Sequence, residues 1–459
     1  VIGLFLEEIS KIAETVKGLM KEKVVKIVAQ FDADGLASAA IFSRILLREG
    51  LNFELRIVKQ LTPEEIEKLK SDKEKFLVFL DCGSGQLDKL KELIESTKIL
   101  VIDHHSPVEY KHQNLFHINP LLFGEDELSA SLVTYLFAKF FNKRNTDLVD
   151  LAIIGAVGDA QDEDRGFTEK LKKIIPEEEL LAKVSITKGI RIYGRATRPI
   201  FRSLAYTFDP FIPGISGSES NAIQFLSDLG IPLKEGERWR TLNDLTIEEQ
   251  RKLASAIVLE YLNLASDVEA IFGDVFTLLG YPPDFQDVRE FSTVINACSR
   301  LGSPEIAFRI CLGDFSVMEK TKEILEEYRK VISDALFSIK GNFHIQKENA
   351  NFFVVGKNVR DTLIGTIISI ALRSNLVEKE KPVFGLADFD EKTVKVSARA
   401  FKDLGIDLSQ ILNKAASMVG GWGGGHKYAA GAFIPKGKEE EFINIVNNLL
   451  SEMNASKES

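Results

Sequence analysis

The sequence predicts an α/β fold in three parts: a parallel, doubly wound N-terminal domain, a mostly helical inserted domain, and a smaller α/β C-terminal domain set across a cleft from the first. Three observations lead there. Apolar runs of strand length at 24–29, 53–58, 76–80 and 98–102 alternate with segments of helical periodicity, the pattern of parallel strands joined by crossover helices. From residue 186 the composition shifts to turn clusters and helices, and a second series of strands and helices begins at Asn351. The resulting boundaries are 1–185 for the first domain, 186–286 for the insert, 287–340 for connecting helices and 341–459 for the last domain.

Bulk properties agree with a multidomain globular chain. Its 459 residues are too many for one ordinary core, and 45% are hydrophobic. No apolar run approaches the ~18 residues of a membrane span, and the first residues lack a signal pattern, so the expected location is the cytoplasm, away from membranes. Three cysteines, Cys82, Cys298 and Cys311, show no CxxC spacing, so neither a disulfide framework nor a zinc site is supported. With 58 Lys and Arg against 68 Asp and Glu the chain is acidic. The deficit is uneven: residues 340–459 hold 16 basic and 14 acidic residues, so the C-terminal third is where a polyanion is tolerated.

In chain order, residues 1–20 read as a helix covering the sheet. The first strand runs to Asp32-Ala33-Asp34-Gly35, where Gly35 is expected to permit a tight turn before a crossover helix over 36–49. Thr62-Pro63-Glu64-Glu65 has the form of a capping box with proline at the first helical position. The next two strands run to Asp81-Cys82-Gly83-Ser84 and to Asp103-His104-His105-Ser106. After His117-Ile118-Asn119-Pro120, a helix is expected to start near Glu127 and extend through Phe141. In the insert, helical segments fall at 220–229 and 245–264, with a second capping box at Thr246 and Glu249. Arg195, Arg198 and Arg202 with Tyr206 read as a solvated basic loop rather than a strand guide. Amphipathic segments at 287–301 and 317–336 supply a connecting helix. The last domain has strands at 351–356, 383–386 and 394–398, a helix at 361–375, and the glycine-dense stretch 420–426 before a helix-compatible 427–431.

Three strands each end in an aspartate, and a parallel sheet brings those ends to one edge, where ligands of open α/β sheets bind. A fourth acid, Asp159, follows a small-residue apolar segment. Asp32, Asp34, Asp81, Asp159 and His104 form a set rich in hard oxygen ligands, suited to two Mn²⁺ or Mg²⁺ ions rather than zinc or copper. Residues 420–426 present backbone amides free of side chains, and with His426 and Arg399 they suit a phosphate. Trp422 suits either a base stack or the core.

DADG, LDCGS, DHH and GAVGD, in this order, resemble the four motifs of the DHH phosphoesterase superfamily, and GGWGGGHKYAAG resembles the DHHA1 signature. The layout is most similar to archaeal RecJ-type single-strand exonucleases and to their eukaryotic relative, a replication-fork helicase subunit that has lost the nuclease motifs. The resemblance implies one metal on Asp32 and Asp81 and another on Asp34, Asp81, His104 and Asp159, with Mn²⁺ before Mg²⁺. His105 would face the scissile phosphate, with Asp103 fixing a histidine's orientation. Ser397 and Arg399, with Gly423, Gly424, Gly425 and His426, would hold substrate phosphate. Relatives carry His or Asp where this chain has Gln30, a weaker ligand, so occupancy at that position is in question. The implied activity is metal-assisted exonucleolytic hydrolysis of single-stranded DNA or RNA in replication or repair, with 3′→5′ polarity favoured. The insert would dock a replication or repair protein such as a helicase-associated factor. A phosphodiesterase of short or cyclic oligonucleotides and a non-catalytic scaffold are the rival readings.

Overall fold

A strand covered on both faces needs no polar alternation, which is why continuous apolar runs such as Phe76-Leu77-Val78-Phe79-Leu80 become interior strands. The computed structural model describes residues 2–458 apart from 73–74, 126–127, 164–165, 208–210, 264–270, 340–342, 374–375 and 402–403. It divides into two units, Val1–Gly189 with Gly273–Leu325, and Ile190–Phe272 with Glu326–Ser459.

The first unit is built on a wholly parallel sheet of β1 (Val25–Gln30), β2 (Phe53–Val58), β3 (Phe76–Leu80), β4 (Ile99–Ile102) and β5 (Leu115–Ile118), in the order β2-β1-β3-β4-β5. Four strands match expectation. The fifth, β5, was not anticipated, because Leu115-Phe116-His117-Ile118 is short, interrupted by a histidine and only partly buried at the sheet edge. The helices are α1 (Ile2–Leu19), α2 (Ala33–Arg48), α3 (Pro63–Leu69), α4 (Lys91–Ser96), α5 (Ala130–Phe141), α6 (Val149–Gly158), α7 (Phe167–Ile174) and α8 (Glu177–Leu181). Thr62 caps α3 by accepting from the Glu65 amide at 3.3 Å, while the Glu65 carboxylate turns to Arg56 and Lys68. The expected helix start near Glu127 lies outside the described residues, and α5 begins after its cap, Ser129.

Gly35 does not make a turn. It sits in the first turn of α2, and a Cβ there would collide with the Gln30 carbonyl, so glycine is required by close approach of helix to strand. Gly158 has the same origin: a Cβ on it would run into Ala33 Cβ, which is how α6 packs against α2. Strand β6 (Val184–Ile190) precedes the insert, made of α9 (Ile200–Ala205), α10 (Glu219–Asp228), a two-residue ribbon β7 (Lys234–Glu235) and β8 (Arg238–Trp239), and α11 (Ile247–Asn263). The insert has a core of its own, including Ile200, Leu204, Leu226, Leu253 and Ile257. Thr246 and Glu249 form the expected reciprocal cap; the last residue of the expected helix, 264, lies outside the described set. Strand β9 (Phe272–Leu278) pairs with β6 and leads to α12 (Val288–Arg300), α13 (Pro304–Cys311) and α14 (Met318–Ile339).

The C-terminal sheet has the order β10-β11-β12-β13-β15-β14, from β10 (His344–Gln346), β11 (Asn351–Gly356), β12 (Val383–Asp388), β13 (Thr393–Arg399), β14 (Trp422–Gly425) and β15 (Ala429–Pro435). It packs with α15 (Ile364–Arg373), α16 (Leu408–Met418) and α17 (Glu439–Glu458). Here the expectation for 420–431 is corrected. The glycine-dense stretch is the edge strand β14, and most of the helix-compatible segment is its hairpin partner β15. The glycines serve packing: a Cβ on Gly421 would collide with the Phe433 carbonyl, and one on Gly423 would lie 3.0 Å from both Ala432 Cβ and the Leu412 carbonyl of α16. Small residues on both strands allow that approach, and cross-strand pairing overrides the helical preference of alanine. No helix among the described residues is long and apolar enough to cross a membrane.

Gly158→Ala should destabilise the chain by about 1–3 kcal/mol through overpacking against Ala33. Gly18→Ala, in α1 with nothing within 4 Å of the added Cβ, should be neutral or slightly stabilising. Urea unfolding of both variants checks the contrast.

Candidate metal centre

The acids reach one place because the ends of β1, β3 and β4 are neighbours. Asp32 follows β1 and caps α2, its Oδ1 accepting from the Gly35 amide at 3.1 Å. Asn296 of α12 takes the Ala33 amide at 3.0 Å, so the start of α2 is held from two sides. Asp34, one residue into that helix, is buried. Its two oxygens accept from the first amides of α5, Oδ2 from Ala130 at 2.7 Å and Oδ1 from Ser131 at 3.0 Å. The positive end of a helix dipole thus points at this carboxylate. Gly155 of α6 makes room, since a Cβ there would collide with Ser131 Oγ and stand 2.7 Å from Asp34 Oδ1.

Asp81 follows β3 with φ +59°, a left-handed conformation that aspartate tolerates, and its amide bonds to the Ile102 carbonyl at 2.9 Å. The turn aims a buried carboxylate at His104, whose Nε2 lies 3.2 Å from Asp81 Oδ1, 3.8 Å from Asp34 Oδ2 and 3.9 Å from Asp159 Oδ2. Asp159 caps the end of α6 and is one-third exposed. Asp34, Asp81 and His104 each offer a ligand atom, all within 4.8 Å of one another. Burial first, then Asp32 and Asp34, push the Asp81 carboxyl well above its usual range. Burial also raises Asp34, with Asp32 adding repulsion against the pull of His104 and Ser131. Sequence reasoning thus placed Asp34, Asp81, His104 and Asp159 in contact range, and Asp32 enters through the repulsion it exerts.

Asp103 has a different task. Its Oδ1 accepts from the His104 amide at 2.8 Å, the His105 amide at 3.2 Å and His105 Nδ1 at 2.7 Å, while Oδ2 accepts from the Ser84 amide at 2.9 Å. Burial pushes this carboxyl up, but His105, His104 and the Ser84 amide hold it well below the usual range. Burial lowers His105 and Asp103 outweighs it, so the ring holds its proton to higher pH than usual.

Three supporting residues were missed. Ser84 Oγ lies 2.8 Å from His117 Nε2 and accepts from Asn119 Nδ2 at 3.0 Å, and the same Asn119 amide donates to the His105 carbonyl at 2.9 Å. The Asn119-Pro120 pair following β5 was the signal available for them.

In the second unit, Arg399 Nε donates to Ser369 Oγ at 3.0 Å, and a Cβ on Gly365 at the start of α15 would lie 2.9 Å from Arg399 Nη2 and 3.5 Å from Ser397 Oγ. Ser397 is level with Gly431 and Gly424 across the strands, and a Cβ on Gly424 would meet nothing within 4 Å. Gly425 has φ +128° and precedes His426, whose amide bonds to the Ala429 carbonyl. Trp422 stacks on Phe433 at 4.7 Å, so its ring packs within the sheet.

Three family models match: the DHH family N-terminal domain over 24–156, the DHH-CID domain over 192–272 and the DHHA1 domain over 350–452. An uncharacterised protein of Methanocaldococcus jannaschii is 32% identical over 468 residues, covering 97% of this chain and 98% of that one. The chain belongs to the DHH/DHHA1 family. Its fold is RecJ-like. RecJ of Thermus thermophilus in complex with Mn²⁺ aligns with a TM-score of 0.61 at 17% identity over 97% of this chain, which spans 55% of that protein's length. CDC45 of Entamoeba histolytica aligns with a TM-score of 0.66 at 12% identity, covering 97% of this chain and 99% of that one.

The DHH residues fit divalent ions on their own evidence. Asp81 Oδ1 is buried without a hydrogen bond, and the carboxyls around it repel one another. An oxygen-rich set with one imidazole matches Mn²⁺ or Mg²⁺.

His117 supplies a pH test. Burial lowers its pKa to about 4, so the folded ring stays neutral down to that pH while the unfolded ring protonates near 6.5. The unfolded state therefore binds the extra proton between pH 6.5 and 4, and stability is lost as pH falls through that window, by about 3 kcal/mol. His117→Gln cannot titrate, so the wild type should lose stability relative to this variant from pH 7 to pH 4.5 in urea unfolding. A difference that does not change with pH would contradict the neutral buried ring.

Proposed function

We propose that this protein is a metal-dependent exonuclease acting on single-stranded DNA or RNA. The observation that carries the reading is the buried cluster of Asp34, Asp81 and His104, whose ligand atoms lie within 4.8 Å of one another and whose carboxylates have one imidazole between them. Asp34, Asp81, His104 and Asp159 would hold one ion, and Asp32 with Asp81 a second, with Mn²⁺ or Mg²⁺ as the fitting metals. Such ions, when bound, polarise phosphoryl oxygens and lower the pKa of an attacking water.

The chain's own residues do the rest. The α5 amides fix both Asp34 oxygens in place, and Ser131 is held in turn by the Ala152 carbonyl at 3.0 Å. Asp103 holds the proton on His105 Nδ1 and so turns Nε2 toward the substrate, where a raised pKa favours donation to a phosphoryl oxygen. Arg399 and Ser397, with Gly423, Gly424, Gly425 and His426, would hold a substrate phosphate. The open face at Gly424 and the position of Arg399 beside the start of α15 support that role. The RecJ likeness supports a strand as substrate, and the insert is proposed to dock a replication or repair protein.

A scaffold without activity is the second reading, favoured by Gln30, where relatives have a stronger ligand, and by the CDC45 likeness.

End-labelled long single strands incubated with Mn²⁺ separate the readings. The exonuclease reading expects laddering, reduced by at least about a thousandfold in Asp34→Ala, a loss typical of removing a central electrostatic group. Cleavage of dinucleotides alone would instead indicate an oligonucleotide phosphodiesterase. No metal-dependent product from either substrate would indicate the scaffold.

A further inference from the structure

The basic segment of the insert is an ordered turn, with Arg195 and Arg198 half-buried and Arg202 exposed at the start of α9. The turn 193–198 is closed by bonds from the Thr197 and Arg198 amides to the Gly194 carbonyl, at 3.2 and 2.9 Å, and Ser203 Oγ donates to the same carbonyl at 3.0 Å. Gly194 takes φ +69°, and its backbone lies so close to the Arg198 stem that a Cβ would stand 2.5 Å from Arg198 Cδ. The turn is therefore held in one shape, with Arg195 and Arg198 displayed from it.

A third guanidinium comes from α14. Arg198 lies over the Tyr193 ring at 5.4 Å, and Arg329 lies over the same ring at 4.5 Å and over Tyr206 at 5.5 Å. Two cations on one ring are within a Debye length of each other, roughly 10 Å at 0.1 M salt, so they repel. Glu219, close to Tyr206, is already engaged by Tyr206 Oη and by Arg202 Nε at 3.3 Å. Among the described residues the Arg198 guanidinium makes no hydrogen bond or ion pair, and Arg195 Nη1 is buried with no hydrogen-bond partner. A buried donor left unmade costs about 1–3 kcal/mol, and nothing within the fold recovers it.

We infer that this turn, with Arg329, is an anion site that takes a phosphodiester of single-stranded nucleic acid through the Arg195 and Arg198 guanidiniums. A guanidinium presents paired N–H donors that match two phosphate oxygens, and the turn carries arginine at both positions and no lysine. Tyr193 backs the cations, with Arg198 and Arg329 already on its ring, so the site grips backbone and does not read bases. The inference rests on the proposed nuclease reading for its ligand and gives the insert a share in strand binding beyond protein docking.

The test is fluorescence anisotropy of a labelled oligothymidylate with the full chain in EDTA, over a range of salt. Arg195→Gln/Arg198→Gln keeps most of the aliphatic packing and removes both charges. Its affinity should fall at least tenfold, with the slope of log K against log salt shallower by about 0.7, the value for one lost phosphate contact on a single strand. Arg195→Lys/Arg198→Lys should keep the slope and lose part of the affinity, which separates lost charge from a damaged turn. Mn²⁺-dependent cleavage of a dinucleotide, whose single phosphodiester is the reacting bond, should be unchanged in both variants.

An unchanged affinity and slope in the Gln variant would overturn the inference, as would displacement of the strand from wild type by polyglutamate at equal charge concentration. Arginine-dependent strand binding by a chain that cuts nothing would sink the nuclease reading and leave the site standing. A wild-type chain that binds no single strand would sink both.

Discussion

Carboxylates buried side by side repel each other and lose their hydration, and a fold that brings them together needs a compensating positive charge. Asp34 and Asp81 are in that position at the end of the first sheet, with the half-buried Asp32 adding its charge. Much of the surrounding structure can be read as the means of holding them there. The start of α5 supplies two amides to Asp34, α6 gives up side chains at Gly155 and Gly158 to come close, and α12 lends Asn296 to the start of α2. Against three carboxylates the protein sets one imidazole close to Asp81 Oδ1, His104 Nε2 at 3.2 Å without hydrogen-bond geometry, and a divalent cation would offset the repulsion that remains.

The two neighbouring aspartates of the histidine loop region show how environment divides the work. Asp81 receives no hydrogen bond at Oδ1 and its pKa rises, whereas Asp103 receives four hydrogen bonds, one of them from His105 Nδ1, and its pKa falls. Asp103 is thus committed to a histidine, whereas Asp81 has the environment of a carboxylate that a cation would stabilise. Ser84, His117 and Asn119 extend the second arrangement into β5, so the orientation of His105 depends on the position of an edge strand.

Most of the first unit was legible in the sequence because buried parallel strands are continuous apolar runs and their ends carry the acids. Legibility failed where packing, not periodicity, decides. Strand β5 is short and broken by His117, and no local pattern marks it. Gly35 and the glycines of β14 looked like turn or loop residues, yet their role is close approach to backbone that lies distant in sequence, or five residues back in the case of Gln30. Ala429-Ala430-Gly431 has helical propensity and becomes a strand because β13 on one side and β14 on the other pair with it. The basic segment of the insert was equally opaque, since Arg329, which joins it, is more than a hundred residues further along the chain.

Counting bound ions tests the shared-cation centre most directly. In an electron paramagnetic resonance titration with Mn²⁺, two ions bound per chain with an exchange-coupled spectrum, lost in Asp81→Asn, is the predicted result. A spectrum of free aqueous Mn²⁺ alone, or tight binding that survives Asp81→Asn unchanged, would contradict it.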